Sequence, residues 1–109
     1  MKFRDRIRSL DMVQTITLPR VVVTRSAAQD VVRRASLSVG DDAVKVLARG
    51  VASSAQSFAD ELVQQLISRG FHTMILLGAP RQLMADVGAS AGRAGTLKVV
   101  TDTSDLIAS

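Results

Sequence analysis

Ser57 opens the run Ser57-Phe58-Ala59-Asp60-Glu61, which places a hydroxyl and two carboxylates within one and a half turns of any helix formed there. A serine beside acids suggests nucleophilic chemistry first. That chemistry needs a base, and His72 is the only histidine in the chain. Ser57 does not stand in a G-x-S-x-G elbow, so hydrolase activity is not expected. Metal binding fares no better: with one histidine and no cysteine, His72 lacks companion ligands and reads as a structural or surface residue. A third use of Ser57 is display, to a protein partner or to a kinase. Its plain alternative is structural. In that reading Ser57 caps the helix, Asp60 returns a hydrogen bond to the cap, and Asp60 and Glu61 oppose the positive end of the dipole, together worth about 1–2 kcal/mol. A second candidate is Gly78-Ala79-Pro80, at the end of an expected parallel strand, where ligands bind in open α/β sheets. Arg81 would be its anion contact. The loop has neither a Walker lysine nor the G-x-G-x-x-G spacing.

The elements that must position these residues follow from hydrophobic period. A helix is predicted over 57–69. Phe58, Ala59, Leu62, Val63, Leu66 and Ile67 cover half its circumference, and Asp60, Glu61, Gln64, Gln65 and Ser68 the other half. Gly70 suits a left-handed C-cap. Upstream, 12–18 alternates with period two, Thr15 and Thr17 opposite Ile16 and Leu18, and predicts a half-buried strand. Pro19 interrupts it, and the β-branched run 20–23 predicts a second strand paired antiparallel with the first. Ser26 is the expected N-cap of a helix over 26–36 with Ala28, Val31, Val32 and Ala35 inward.

A third strand is expected over 43–51, and a polar link over 52–57. Met74 to Leu77 form a buried strand, and Pro80 fits the first turn of a helix carrying Leu83, Met84, Val87 and Ala91. A last strand spans 96–100. The result is an α/β fold: a single domain over 12–100, a mixed β-sheet in ββαβαβαβ order with helices packed on it. A basic tip (1–11) precedes it, and a tail or short helix (101–109) follows. Met12, Met74 and Met84 read as core filler.

Composition narrows the function. The chain has 109 residues, 47% of them hydrophobic but only 3% aromatic, with no tryptophan or tyrosine. That disfavours nucleic-acid recognition by base stacking. The net charge of +4 is concentrated at the start, where Lys2, Arg4, Arg6 and Arg8 face only Asp5, and the remainder is nearly balanced. Nucleic acid is therefore not the expected partner. With no cysteine, no disulfide or thiolate site is available. No apolar run reaches the roughly 20 residues of a membrane span, and no signal peptide is read, so the expected location is cytoplasmic.

Arg25-Ser26 with Ala28, then Gly50-Val51, then Ser57 and Phe58-Ala59-Asp60-Glu61, over about residues 20–95, resemble a small bacterial family, the STAS-like domain of unknown function. Its hallmark is a Phe-Ala-Asp-Glu helix entry, and it is similar in turn to STAS domains, including anti-anti-sigma factors. The resemblance implies a non-catalytic regulatory domain without a cofactor. Its partner would be a histidine-kinase-like ATPase, docked at the N-terminal end of helix 57–69 through Ser53, Ser54, Gln56, Ser57, Asp60 and Glu61. By position Ser57 would be the phosphorylated serine, whose modification releases that partner. The alternatives from the residues themselves are a small-ligand or nucleotide module at the strand ends near Gly50 and Gly78, and an assembly protein pairing through edge strand 12–18.

Overall fold

The structure, a computed structural model, describes residues 14–35 and 42–101. The 1–11 tip, Met12 and nearly all of the 101–109 tail lie outside the described residues. Within them the chain runs β1 (Gln14–Thr17), β2 (Val21–Val22), α1 (Arg25–Ala35), β3 (Ala43–Leu47), β4 (Ser53–Ser54), α2 (Gln56–Ser68), β5 (Thr73–Leu77), α3 (Arg81–Ala94) and β6 (Lys98–Thr101).

β1, β3, β5 and β6 form one sheet in that order, and every adjacent pair is parallel. The strand order rises steadily along the chain. Right-handed crossovers then put all three helices on the same face of the sheet. The packing agrees: α2 lies between α1 and α3 and touches both. Along the central strands Val44, Val46, Met74 and Leu76 are buried, while the alternating Lys45, Ile75 and Leu77 face the other way and are only half-buried. The core is thus one aliphatic layer between sheet and helices, with Phe58 and Phe71 as its aromatic members.

Two expectations are corrected here. The strands 12–18 and 20–23 do not pair with each other, and the sheet is parallel throughout rather than mixed. β1 pairs with β3, setting Ile16 opposite Val46, and β2 pairs in parallel with a strand not foreseen, β4, setting Val22 opposite Ser54. The order is therefore ββαββαβαβ. Pro19 does not turn the chain back. It carries it off the end of the sheet, where the Arg20 carbonyl accepts from the amides of Ala52 (2.7 Å) and Ser53 (3.1 Å). The β-branched run still behaves as strand, with Val22 fully buried and Val21 pointing out, but its partner is the segment that follows β3. The polar residues 52–57 have no strand period, so β4 leaves no trace in the sequence.

The entry of α1 is also shifted. The helix begins at Arg25, and Thr24, not Ser26, supplies the cap: its Oγ1 accepts from the Ala27 amide at 3.0 Å. Thr24→Ala is expected to lower stability by about 1 kcal/mol, and Ser26→Ala by less than about 0.5 kcal/mol, in urea unfolding. The reverse ranking would restore Ser26 as the cap. At the far end of α2, Gly70 has the expected left-handed conformation (φ 93°), and its amide donates to the Ile67 carbonyl at 3.0 Å. Met74 is buried as expected, whereas Met84 is 37% exposed on α3 and does not fill the core. Among the described residues, no helix is long and apolar enough to cross a membrane.

Candidate functional site: the entrance of helix α2

After β3 the chain stays with the sheet for one more residue, the Ala48 amide donating to the Leu77 carbonyl at 2.8 Å. It then turns at Arg49-Gly50 and runs through β4. The Ala55 amide donates to the Val22 carbonyl at 3.2 Å, and α2 starts at Gln56. The β2–β4 pair delivers the chain to the helix in extended conformation. Ala55 occupies the N-cap position with no side-chain cap bond.

Ser57 is therefore inside the helix and is not its cap. Its Oγ donates to the Val23 carbonyl at 3.1 Å, tying the first turn of α2 to the segment between β2 and α1. The residue is half-buried. Asp60 does not return a bond to the cap either. Its Oδ1 accepts from Arg93 Nη2 of α3 at 2.7 Å. Glu61 turns the opposite way, toward α1. Its Oε2 accepts from Gln65 Nε2 (2.9 Å) and from Gln29 Nε2 (3.1 Å), and its Oε1 from Arg25 Nη1 (3.3 Å). The bond from Gln65 first, then that from Gln29, holds the Glu61 carboxyl below the usual glutamate range against an opposing effect of burial, with Arg25 adding to the lowering.

The four residues Phe58 to Glu61 thus serve three neighbours at once. Phe58 and Ala59 are wholly buried beneath α2. Asp60 reaches sideways to one flanking helix and Glu61 to the other. A central helix in a three-helix layer needs such a division, because its two sides meet different partners while its base meets the sheet.

Of the six residues expected to meet a partner, four gather at the entrance of α2: Ser53 and Gln56 exposed, Ser54 and Ser57 half-buried. Asp60 and Glu61 stand about a turn further along, with their carboxylates engaged on opposite sides of α2. Arg25, Gln29 and Arg93 complete that framework. Sequence alone does not reveal these partners, because pairs separated by more than 30 residues leave no local pattern.

His72 lies at the other edge of the sheet, just before β5, with Nδ1 2.9 Å from Asp42 Oδ1 and its amide bonded to the Asp42 carbonyl. The length of a strand, about 16 Å, separates that edge from Ser57, so no serine–histidine pair forms. Among the described residues no group of His, Asp and Glu could hold a metal ion. The Gly78 loop closes against Arg49. Gly78 has φ 69°, and a Cβ there would run into the stem of Arg49. Arg81, the first residue of α3, is exposed. A groove of about 380 Å³ between β1 and α1, lined by Thr17, Leu18, Ala27 and Val31 among others, lies on the side of α1 turned away from α2.

Comparison with family models, with curated proteins and with solved structures finds no match to this chain.

Proposed function

We propose that this is a non-catalytic, cytoplasmic regulatory domain that binds a protein partner through the entrance of α2, in the manner of STAS-like domains. The partner class implied by the resemblance at Ser57 to Glu61 is a histidine-kinase-like ATPase. One observation supports the reading above the others. At this edge Ser53, Ser54 and Gln56 present polar side chains that make no side-chain hydrogen bond among the described residues, on a base held by Phe58, Asp60 and Glu61. Asp60 and Glu61 then act as the frame of the docking surface, and Ser53, Ser54, Gln56 and Ser57 as its contact residues.

Ser57 is the residue at which such a surface would be switched. Its hydroxyl proton is given to the Val23 carbonyl. A phosphate has no proton to give there and adds about −1.5 to −2 charge at neutral pH. Ser57 and Glu61 are i,i+4 neighbours on α2, so the phosphate would compete with Glu61 for Arg25. Modification would then both repel a partner and loosen the contact between α2 and α1.

The test is affinity for the partner recovered by capture from a bacterial lysate. Ser57→Ala is expected to bind within about threefold of wild type, and Ser57→Asp at least about tenfold more weakly. Equal binding by wild type and Ser57→Asp would remove the switch.

A further inference from the structure

The described residues contain ten cations, and their placement is uneven. Arg25, Arg33, Arg34 and Arg93 are in ion pairs on the helices. Arg20, Arg49 and Arg81 are exposed and make no ion pair or side-chain hydrogen bond among the described residues; Lys45 within β3, Arg69 after α2 and Lys98 at the start of β6 also make none, but they lie away from the C-terminal edge of the sheet. Each follows a different strand: Arg20 comes after β1, Arg49 after β3, and Arg81 after β5. Those strands are consecutive neighbours in the parallel sheet, so all three arginines emerge along its C-terminal edge. With neighbouring strands about 4.8 Å apart, their roots span on the order of 10 Å.

The chain sets this row beside the entrance of α2. The Arg20 carbonyl accepts from the amides of Ala52 and Ser53, which anchors Arg20 against the start of β4. Arg49 is held by its stem, which lies where any side chain on Gly78 would have to go. The described acids do not neutralise the row. Asp30, Asp60, Glu61 and Asp86 lie at least a turn into their helices and are bound by Arg33 and Arg34, by Arg93, by Arg25 with Gln29 and Gln65, and by Gln82. Asp42 is at the opposite edge, before β3, bound to His72. Asp102 and Asp105 follow β6 and lie outside the described residues.

Resting on the docking reading above, we infer that Arg20, Arg49 and Arg81 recognise a run of carboxylates on the protein partner docked over Ser53 to Ser57. Three guanidinium groups rooted beyond three neighbouring strand ends match several anionic groups rather than one, and each offers a planar fork that takes a carboxylate two-pronged. Carboxylates three or four apart on a helix stand about 5–6 Å from one another, which matches the spacing of adjacent strand ends. A protein is favoured over a nucleic acid because Phe58 and Phe71, the aromatic residues among those described, are both buried, leaving no aromatic stacking platform at this edge among the described residues.

The probe is a fluorescent poly-glutamate of about twenty residues, titrated with the full chain at about 50 mM and 150 mM salt. Wild type is expected to bind in a salt-sensitive manner. The combined variant Arg20→Gln, Arg49→Gln, Arg81→Gln is expected to bind at least about tenfold more weakly, while Arg33→Gln, Lys45→Gln, Lys98→Gln, with the same change of charge elsewhere, stays within about twofold. Equal losses in the two variants would overturn the inference, since net charge alone would then explain binding. So would absence of binding by wild type, or a duplex DNA of equal charge displacing the peptide and depending on the same three arginines. The readout uses no natural partner. Its failure leaves the docking surface at Ser53 to Ser57 standing, and failure of Ser57→Asp to release a partner leaves the arginine row standing.

Discussion

Phe58→Ala should destabilise the domain by about 3–5 kcal/mol, a large part of the roughly 5–15 kcal/mol that holds a small domain folded. Phe58 is wholly buried and stands in the first turn of α2, so its ring fastens the helix entrance to the core. Truncation leaves a cavity where the surrounding elements, α2 and the β2–β4 pair, cannot easily close, because both are already tied at Ala55 and Ser57. Phe71→Ala serves as the comparison. That ring is also buried, but it follows the other end of α2, at the opposite edge of the sheet. Both variants should lose similar stability in urea. Only Phe58→Ala should show accelerated amide exchange confined to 53–60 under conditions where the rest of the domain stays protected. Equal local exchange in the two variants would mean that Phe58 has no special hold on the entrance.

Removal of Glu61 should have the next largest effect. Glu61→Ala deprives Gln29, Gln65 and Arg25 of their shared acceptor. Hydrogen bonds to a charged group are worth about 1.5–3 kcal/mol, and Arg25 is mostly solvated, so a total loss of about 2 kcal/mol is expected. Glu61→Gln keeps the shape and one acceptor and should lose less. The pH dependence gives the sharper reading. The carboxyl is held below its usual range in the folded chain. The unfolded chain therefore takes up the proton first as pH falls. The contribution of Glu61 is complete above the ordinary glutamate value of about 4.3 and is lost as pH falls through the depressed folded value. The gap in stability between wild type and Glu61→Gln should thus be constant near neutral pH and narrow below about pH 4. A gap that is unchanged down to pH 3, or that widens, would contradict the clamp.

These two residues also show what can be read from the sequence and what cannot. Helical period placed Phe58 and Ala59 against the core and located α2 to within one residue, because burial repeats every turn and leaves a local trace. The same period put Asp60 and Glu61 together on a wet half of the helix. The structure separates them, Asp60 to Arg93 and Glu61 to Arg25, because neighbouring residues on a helix differ by 100° and α2 is flanked on both sides. Nothing within ten residues of position 60 signals that a helix lies on each flank.

The expected antiparallel pairing of 12–18 with 20–23 fails for a related reason. Of the expected strand 20–23, Val21 and Val22 are strand, but a strand's partner is set by the whole topology, and the two-residue β4 (Ser53–Ser54) carries no hydrophobic signature. Ser57 has the sequence neighbours of a cap without being one. Its hydroxyl is used instead by a carbonyl 34 residues earlier.

The most direct test of docking at the entrance of α2 is position-specific photo-crosslinking in bacterial cells. A crosslinking residue would replace Ser53 or Gln56 in turn, with Thr17 in the β1 groove and Lys98 at the start of β6 as comparisons. One protein species captured from positions 53 and 56, and not from 17 or 98, is the expected result. Capture from position 17 or 98 with none from 53 or 56 would contradict the account, because it would place the partner on a surface that Ser57 and its framework do not build.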